Sequence, residues 1–176
     1  SLEMLVAEGG DLQGDSALRS RILTPPLVLA VKNSHTGAAT FLVQQGADPN
    51  VMFTDDETKK QRSLVMDAVY IKNMEWLALL LENGGNADYR DPVDETSLIT
   101  QASYQGEQSL VKLLLVHHAD PKLPNKEGVN ALIAAASGGH AAICAELLAI
   151  DTSYINNVDI DGTTALMSAS VRGYHL

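Results

Sequence analysis

Leucines 27, 64, 98, 132 and 166 each stand inside a copy of one recurring phrase, with gaps of 37, 34, 34 and 34 residues between them. A fixed period in this range constrains the chain more than any local propensity, because it means stacked copies of one supersecondary unit. The best-formed copy runs Asn125-Lys-Glu-Gly-Val-Asn-Ala-Leu132 and continues Ile-Ala-Ala-Ala-Ser-Gly-Gly-His140. The next opens Asp159-Ile-Asp-Gly-Thr-Thr-Ala-Leu166 and reaches Arg172-Gly173-Tyr174. Each unit predicts a short helix of small residues, such as Ala134, Ala135 and Ala136, where alanine favours the helix and lets a neighbour approach closely. A second helix follows, as over residues 109–115, too apolar to face water on all sides and therefore expected between neighbours. No unit covers its own apolar face, so stacking drives folding.

These residues resemble the ankyrin repeat, whose pattern is D-x-x-G-x-T-P-L-H-x-A-A-x-x-G-H followed by an apolar helix ending in G-A-D. Pro26-Leu27, Ser63-Leu64, Ser97-Leu98, Ala131-Leu132 and Ala165-Leu166 are placed at the P-L step. Gly46-Ala47-Asp48, Asn86-Ala87-Asp88 and His118-Ala119-Asp120 are placed at the end of the second helix. The resemblance covers nearly the whole chain and implies an all-α solenoid of helix-turn-helix units joined by hairpin-like fingers. Gly46 and Gly84 fall just past helix ends, where a left-handed residue stops a helix. Thr96 and Thr164 precede first helices and are expected to cap them.

The expected organisation is a second helix of a truncated repeat at 1–13, then repeats at 14–50, 51–88, 89–121 and 122–155, then half a repeat at 156–176. Both ends read as interrupted repeats without the polar caps that solenoid ends carry, so the chain is expected to be a segment of a longer array. Two connections are long. Gln13 to Leu27 and Asn50 to Leu64 each take 14 residues, against 10 from Asn156 to Leu166. The second carries Asp55, Asp56, Lys59 and Lys60. Loops on a rigid scaffold are where binding collects, while an insertion at a surface turn is also cheaply tolerated; both readings stand at this point.

Composition narrows the function classes. With 12 basic and 22 acidic residues the formal charge is -10, which repels phosphate backbones and anionic lipid, so neither nucleic acid nor membrane insertion is expected. The lone Cys144 cannot form an internal disulfide, which points to a reducing compartment, cytoplasmic or nuclear. Within an apolar helix it is expected to be a buried, unreactive thiol. No G-x-S-x-G, G-x-x-x-x-G-K or G-x-G-x-x-G occurs, so neither catalysis nor a cofactor is expected. Asn157 to Gly162 imitates the start of a calcium loop, but Ser168 stands where the bidentate glutamate belongs. His117 and His118 are adjacent on a helix and point about 100° apart, so no metal site is expected. The resemblance instead gives His35 and His140 a place in the Gly-His turn, where imidazole bonds to backbone. Trp76 shares its helix with four leucines and is expected in the core.

The remaining route is surface recognition. The resemblance places the exposed concave face at finger tips and near the end of each first helix. Six residues after each anchor leucine come Asn33, Tyr70, Tyr104, Gly138 and Arg172; one residue earlier come Lys32, Val69, Ser103, Ser137 and Val171. Tyrosine and arginine are over-represented among residues that dominate binding energy, though a tyrosine can equally pack its ring and leave its hydroxyl wet. The helix-to-helix turns after Leu64 and Leu98 read one residue longer than the one after Leu27, which bears on where the tyrosines point. The expected function is protein–protein binding by the concave face and long fingers, with a partner bearing a basic patch. Two other roles stay open: a regulatory or substrate-docking arm of a larger enzyme or channel, and a structural subunit of a large complex.

Overall fold

The structure, a computed structural model, describes residues 26–33, 35–54, 61–171 and 173. The truncated helix expected at 1–13 and the finger beginning at Gln13 lie outside them, as do Asp55, Asp56, Lys59, Lys60 and Arg172. The chain divides into two compact units, one ending at Leu64 and one beginning at Val65.

In the first unit, helix α1 covers residues 26–32 and α2 covers Thr36–Gln44. A finger follows, built on strands β1 (Met52–Thr54) and β2 (Gln61–Ser63), which pair antiparallel with Phe53 opposite Arg62. Alternation puts Phe53 inward, and the Lys32 ammonium lies 4.8 Å from its ring centroid. That cation–π contact ties the finger to the end of α1.

Among its described residues the second unit holds seven helices, the first six in pairs. These are α3 (Leu64–Tyr70, its first residue closing the first unit) with α4 (Met74–Glu82), α5 (Leu98–Gln105) with α6 (Gln108–Val116), α7 (Ala131–Gly138) with α8 (Ala141–Ile150), and α9 (Ala165–Val171). Helix α7 packs between α5 and α9, and α6 packs between α4 and α8. Second helices bury one repeating face: Trp76, Leu77 and Leu80, then Leu110, Val111 and Leu114, then Ile143, Cys144 and Leu147. Trp76 is core, 2% exposed. Helix α7 buries Ala131 through Ala136 without interruption, as a helix packed on two sides must.

The first helices α1, α3, α5 and α7 end in the same way. An amide reaches back five residues, from His35 to Ala30, Asn73 to Ala68, Glu107 to Ala102 and His140 to Ala135, at 2.8 to 3.1 Å. This bond is the helix stop of the Schellman type, and it fixes the register independently of sequence. The second helices α2, α4 and α6 stop likewise, with Gly46 and Gly84 in the left-handed region as expected (φ 93° and 92°). His118 takes that place in α6 at φ 63° and Lys72 takes it after α3 at φ 58°, both without glycine's freedom.

That register corrects the anchor assignment. Ser97, not Thr96, caps α5, its Oγ accepting the Thr100 N–H at 3.3 Å. Asn130 caps α7 and Thr164 Oγ1 accepts from Met167 in α9, the latter as expected. Ten residues separate Ser97 from Glu107 and Asn130 from His140, so the two first helices are equally long. Leu98 therefore matches Ala131, not Leu132, and Leu64 is displaced in the same way relative to Asn73. The longer turn read from the sequence is a leucine shifted one place earlier on the helix; both places are buried, so either can hold it.

Candidate functional site

Three short fingers line one side of the second unit, at residues 89–97, 122–130 and 156–164. The outer two carry the isolated antiparallel bridges Arg90 to Ser97 and Val158 to Thr164. Each finger is braced from within by a side chain that accepts backbone N–H groups. Asn125 Oδ1 takes those of Glu127 and Val129, and Asp159 Oδ1 takes those of Asp161 and Thr163. The calcium-like run at Asn157–Gly162 is thus a turn whose carboxylate is occupied by the chain itself. In the first short finger the same task is divided between Asp91 and Asp94. Neighbouring fingers are joined by Lys126 N–H to Asp94 O at 2.9 Å and Ile160 N–H to Glu127 O at 2.8 Å.

Between the fingers at 89–97 and 122–130 and helices α5 and α7 lies a polar cleft of about 230 Å³. Thr100, Gln101 and Tyr104 line it from α5, Ser137 from α7, and Asn125 and Glu127 from a finger. Two residues expected at the binding surface, Tyr104 and Ser137, are brought together here. Counted from the cap, Tyr104 and Ser137 hold the same place, and Tyr70 holds it in α3 by the shared stop bond. Tyr70 is 39% exposed and Tyr104 53%. The ends of α3 and α5 are tied by Gln105 Nε2 to Tyr70 O at 3.4 Å and by a Lys72–Glu107 ion pair at 2.8 Å.

Val69 and Ser103 do not belong to this surface. Both are 0% exposed, matching Ala136 in α7, because the shifted leucine put them one place too far round the helix. The Ser103 hydroxyl is buried and has no hydrogen-bond partner among the described residues. In the first unit, Lys32 is exposed with its ammonium over Phe53, and Asn33 donates to Leu29 O at 2.9 Å beside a shallow apolar hollow of about 270 Å³. Sequence reasoning missed Gln101, Thr100, Asn125 and Glu127. Gln101 stands one helical turn before Tyr104, a signal that the correct cap would have supplied.

His140 organises the floor near Tyr104. Its Nε2 lies 3.1 Å from Tyr104 O, and its ring is so close to Gly106 and Gly138 that a Cβ on either would stand 2.4 Å from it. The imidazole thus bonds to backbone, as the Gly-His turn implied. Cys144 is buried, and burial raises its thiol pKa, disfavouring the thiolate. Burial also pushes Tyr154 up to about 12, and an ion pair with Lys122 lowers Asp151 to about 2. None of these groups lines the cleft. No set of His, Cys, Asp and Glu side chains among the described residues is arranged to hold a metal ion, and no helix among them is long and apolar enough to cross a membrane.

A model of ankyrin repeats in three copies matches residues 99–175, and a single ankyrin repeat model matches residues 25–52. Together they account for more than half of the chain. An ankyrin repeat-containing protein of Treponema pallidum (strain Nichols) is 32% identical over 116 residues, which is 66% of this chain and 37% of that protein. The ankyrin repeat and KH domain-containing protein mask-1 of Caenorhabditis elegans is 27% identical over 169 residues, 78% of this chain and 6% of its own length. The ankyrin repeat, SAM and basic leucine zipper domain-containing protein 1 of Microcebus murinus is 33% identical over 137 residues, 73% of this chain and 28% of its own. The chain spans at most 37% of the length of these relatives.

Proposed function

Because this chain belongs to the ankyrin repeat family, whose repeats generally bind other proteins, we propose that it holds a protein partner against its first-helix ends and fingers. The observation that carries this reading is the place shared by Tyr70, Tyr104 and Ser137. Two exposed tyrosines occupy it on successive repeats, and the second opens into a polar cleft. Tyrosine supplies a large rigid contact area at low entropic cost, and a braced scaffold loses little freedom on binding. Lys32 and Asn33 stand near the corresponding point of α1. Arg172 and the charged run Asp55, Asp56, Lys59 and Lys60 join the reading on sequence alone. The formal charge of -10 favours a partner with a basic patch by raising encounter rates.

The test is a pull-down from native extract with the 176-residue chain and a Tyr70→Ala/Tyr104→Ala variant. A defined protein retained by the first and lost by the second supports the reading. Retention of the same protein by both contradicts it.

A second reading has one observation in its favour. The relatives are several times longer than the matched span, and the names of two of them include KH, or SAM and basic leucine zipper, domains beside the repeats. The segment then acts as a docking arm whose partner serves a larger protein. Retention by a longer parent chain, with none by the 176-residue segment, separates this reading from the first.

A further inference from the structure

The cleft beside Tyr104 holds an unanswered charge. Glu127 is exposed on its finger, is one of the residues lining the cleft, and has no cationic partner among the described residues. Its position is well defined, since its amide donates to Asn125 Oδ1 at 3.0 Å and its carbonyl accepts from Ile160 at 2.8 Å. The neighbouring lysine does not neutralise it, because Lys126 Nζ reaches away to Val93 O at 2.6 Å. Nearby cations are engaged as well: Arg90 pairs with Glu95 at 2.8 Å. The same cleft is lined from α5 by Tyr104, which is half exposed, and by Gln101.

Size decides the kind of occupant. About 230 Å³ falls below the roughly 300–1,000 Å³ of small-molecule pockets, and the lining is polar and open along one side. It suits one long side chain better than a free metabolite. The chemistry then selects among side chains. A carboxylate calls for a cation, an aromatic face adds attraction for a planar one, and a carbonyl acceptor calls for several fixed donors. Arginine meets all three needs at once: its guanidinium is flat, permanently charged and forked, whereas a lysine ammonium is a compact and strongly hydrated point charge.

Resting on the protein-binding reading above, we propose that this cleft is a socket for an arginine side chain carried on an extended segment of the partner, stacked on Tyr104 and paired with Glu127. Ser137 adds a polar residue to the lining from α7, so that water displaced by the guanidinium can be replaced by a fixed polar group.

The probe is a phage-displayed library of random dodecapeptides selected on the whole chain, followed by titration of the selected peptides. The expected result is enrichment of one arginine, a loss of affinity of about tenfold or more with Glu127→Gln, and a similar loss when that arginine becomes citrulline, its uncharged isostere. Glu127 is exposed, so helix content and melting temperature should be unchanged in the variant; the citrulline peptide tests the same pairing without altering the protein. Peptides that depend on Tyr104 but carry no enriched arginine, or that ignore Glu127→Gln, overturn the socket and leave the protein-binding surface standing. Peptides indifferent to Tyr70→Ala/Tyr104→Ala overturn both. Failure to select any peptide also counts against the socket, since an extended segment is then not its ligand.

Discussion

Helices α5 and α7 share one backbone and differ in the side chains it carries. Each runs from a polar cap to a glycine in the left-handed region, Ser97 to Gly106 and Asn130 to Gly139, and each closes with the same five-residue bond. Yet α7 is almost wholly alanine, isoleucine and leucine, whereas α5 carries Thr100, Gln101, Ser103 and Tyr104. A helix squeezed between two neighbours in α7 keeps small side chains because packing density leaves room for little else. The chemistry of the cleft comes mostly from α5 and the fingers, with α7 supplying the wall. If the cleft binds as proposed, packing and recognition rest on different residues of one scaffold, and substitutions should move one without the other.

The largest effect should come from the wall. In Gly138→Val the new Cβ would stand 2.4 Å from the His140 ring and 3.0 Å from Tyr104 O. Overpacking of this kind costs about 2–3 kcal/mol, read as a lowered denaturant midpoint in equilibrium unfolding. Next come the caps. Asn130 is 1% exposed, so Asn130→Ala removes the acceptor for the Ile133 amide where water cannot replace it, at a cost of about 2 kcal/mol. Ser97→Ala should cost about 1 kcal/mol, because its bond to the Thr100 amide is longer, at 3.3 Å. A cost order reversed in chemical denaturation would mean that the two helices are not held alike.

Ser103→Ala sharpens the contrast in the other direction. It converts α5 to the residue that α7 has at that place and removes a buried hydroxyl that has no partner among the described residues. The expected gain is about 0.5–1 kcal/mol, visible as a raised melting temperature. The smallest stability change belongs to Tyr104→Ala, within about 0.5 kcal/mol as for other surface positions, although binding should suffer.

The fold was legible because its determinant is a period, and a period survives the substitution of any one residue. The core role of Trp76 and the helix stops at Gly46 and Gly84 followed from the same pattern. The candidate surface was legible only in part. Leucine was an unsafe ruler: Leu64 and Leu98 sit one place earlier than Leu132, and a helix with two adjacent buried places accepts either. That single step moved Val69 and Ser103 from the interior to the expected surface. The cap and the five-residue bond are the better rulers, but they depend on backbone geometry, and two stops use His118 and Lys72 where glycine would have marked the spot. Glu127 was hidden for another reason. Its importance lies in sharing a cleft with Tyr104 of α5 from a finger 23 residues further along the chain, and no local pattern encodes that.

The most direct test of the account compares neighbours on α5. The protein retained in the pull-down would be titrated against the unaltered chain, Ser103→Ala and Tyr104→Ala, with fluorescence anisotropy reporting Kd. If recognition lies where Tyr104 and Ser137 meet the cleft, Tyr104→Ala weakens binding about tenfold or more and Ser103→Ala leaves it unchanged. Equal losses in both, or a loss confined to Ser103→Ala, would contradict the surface described above.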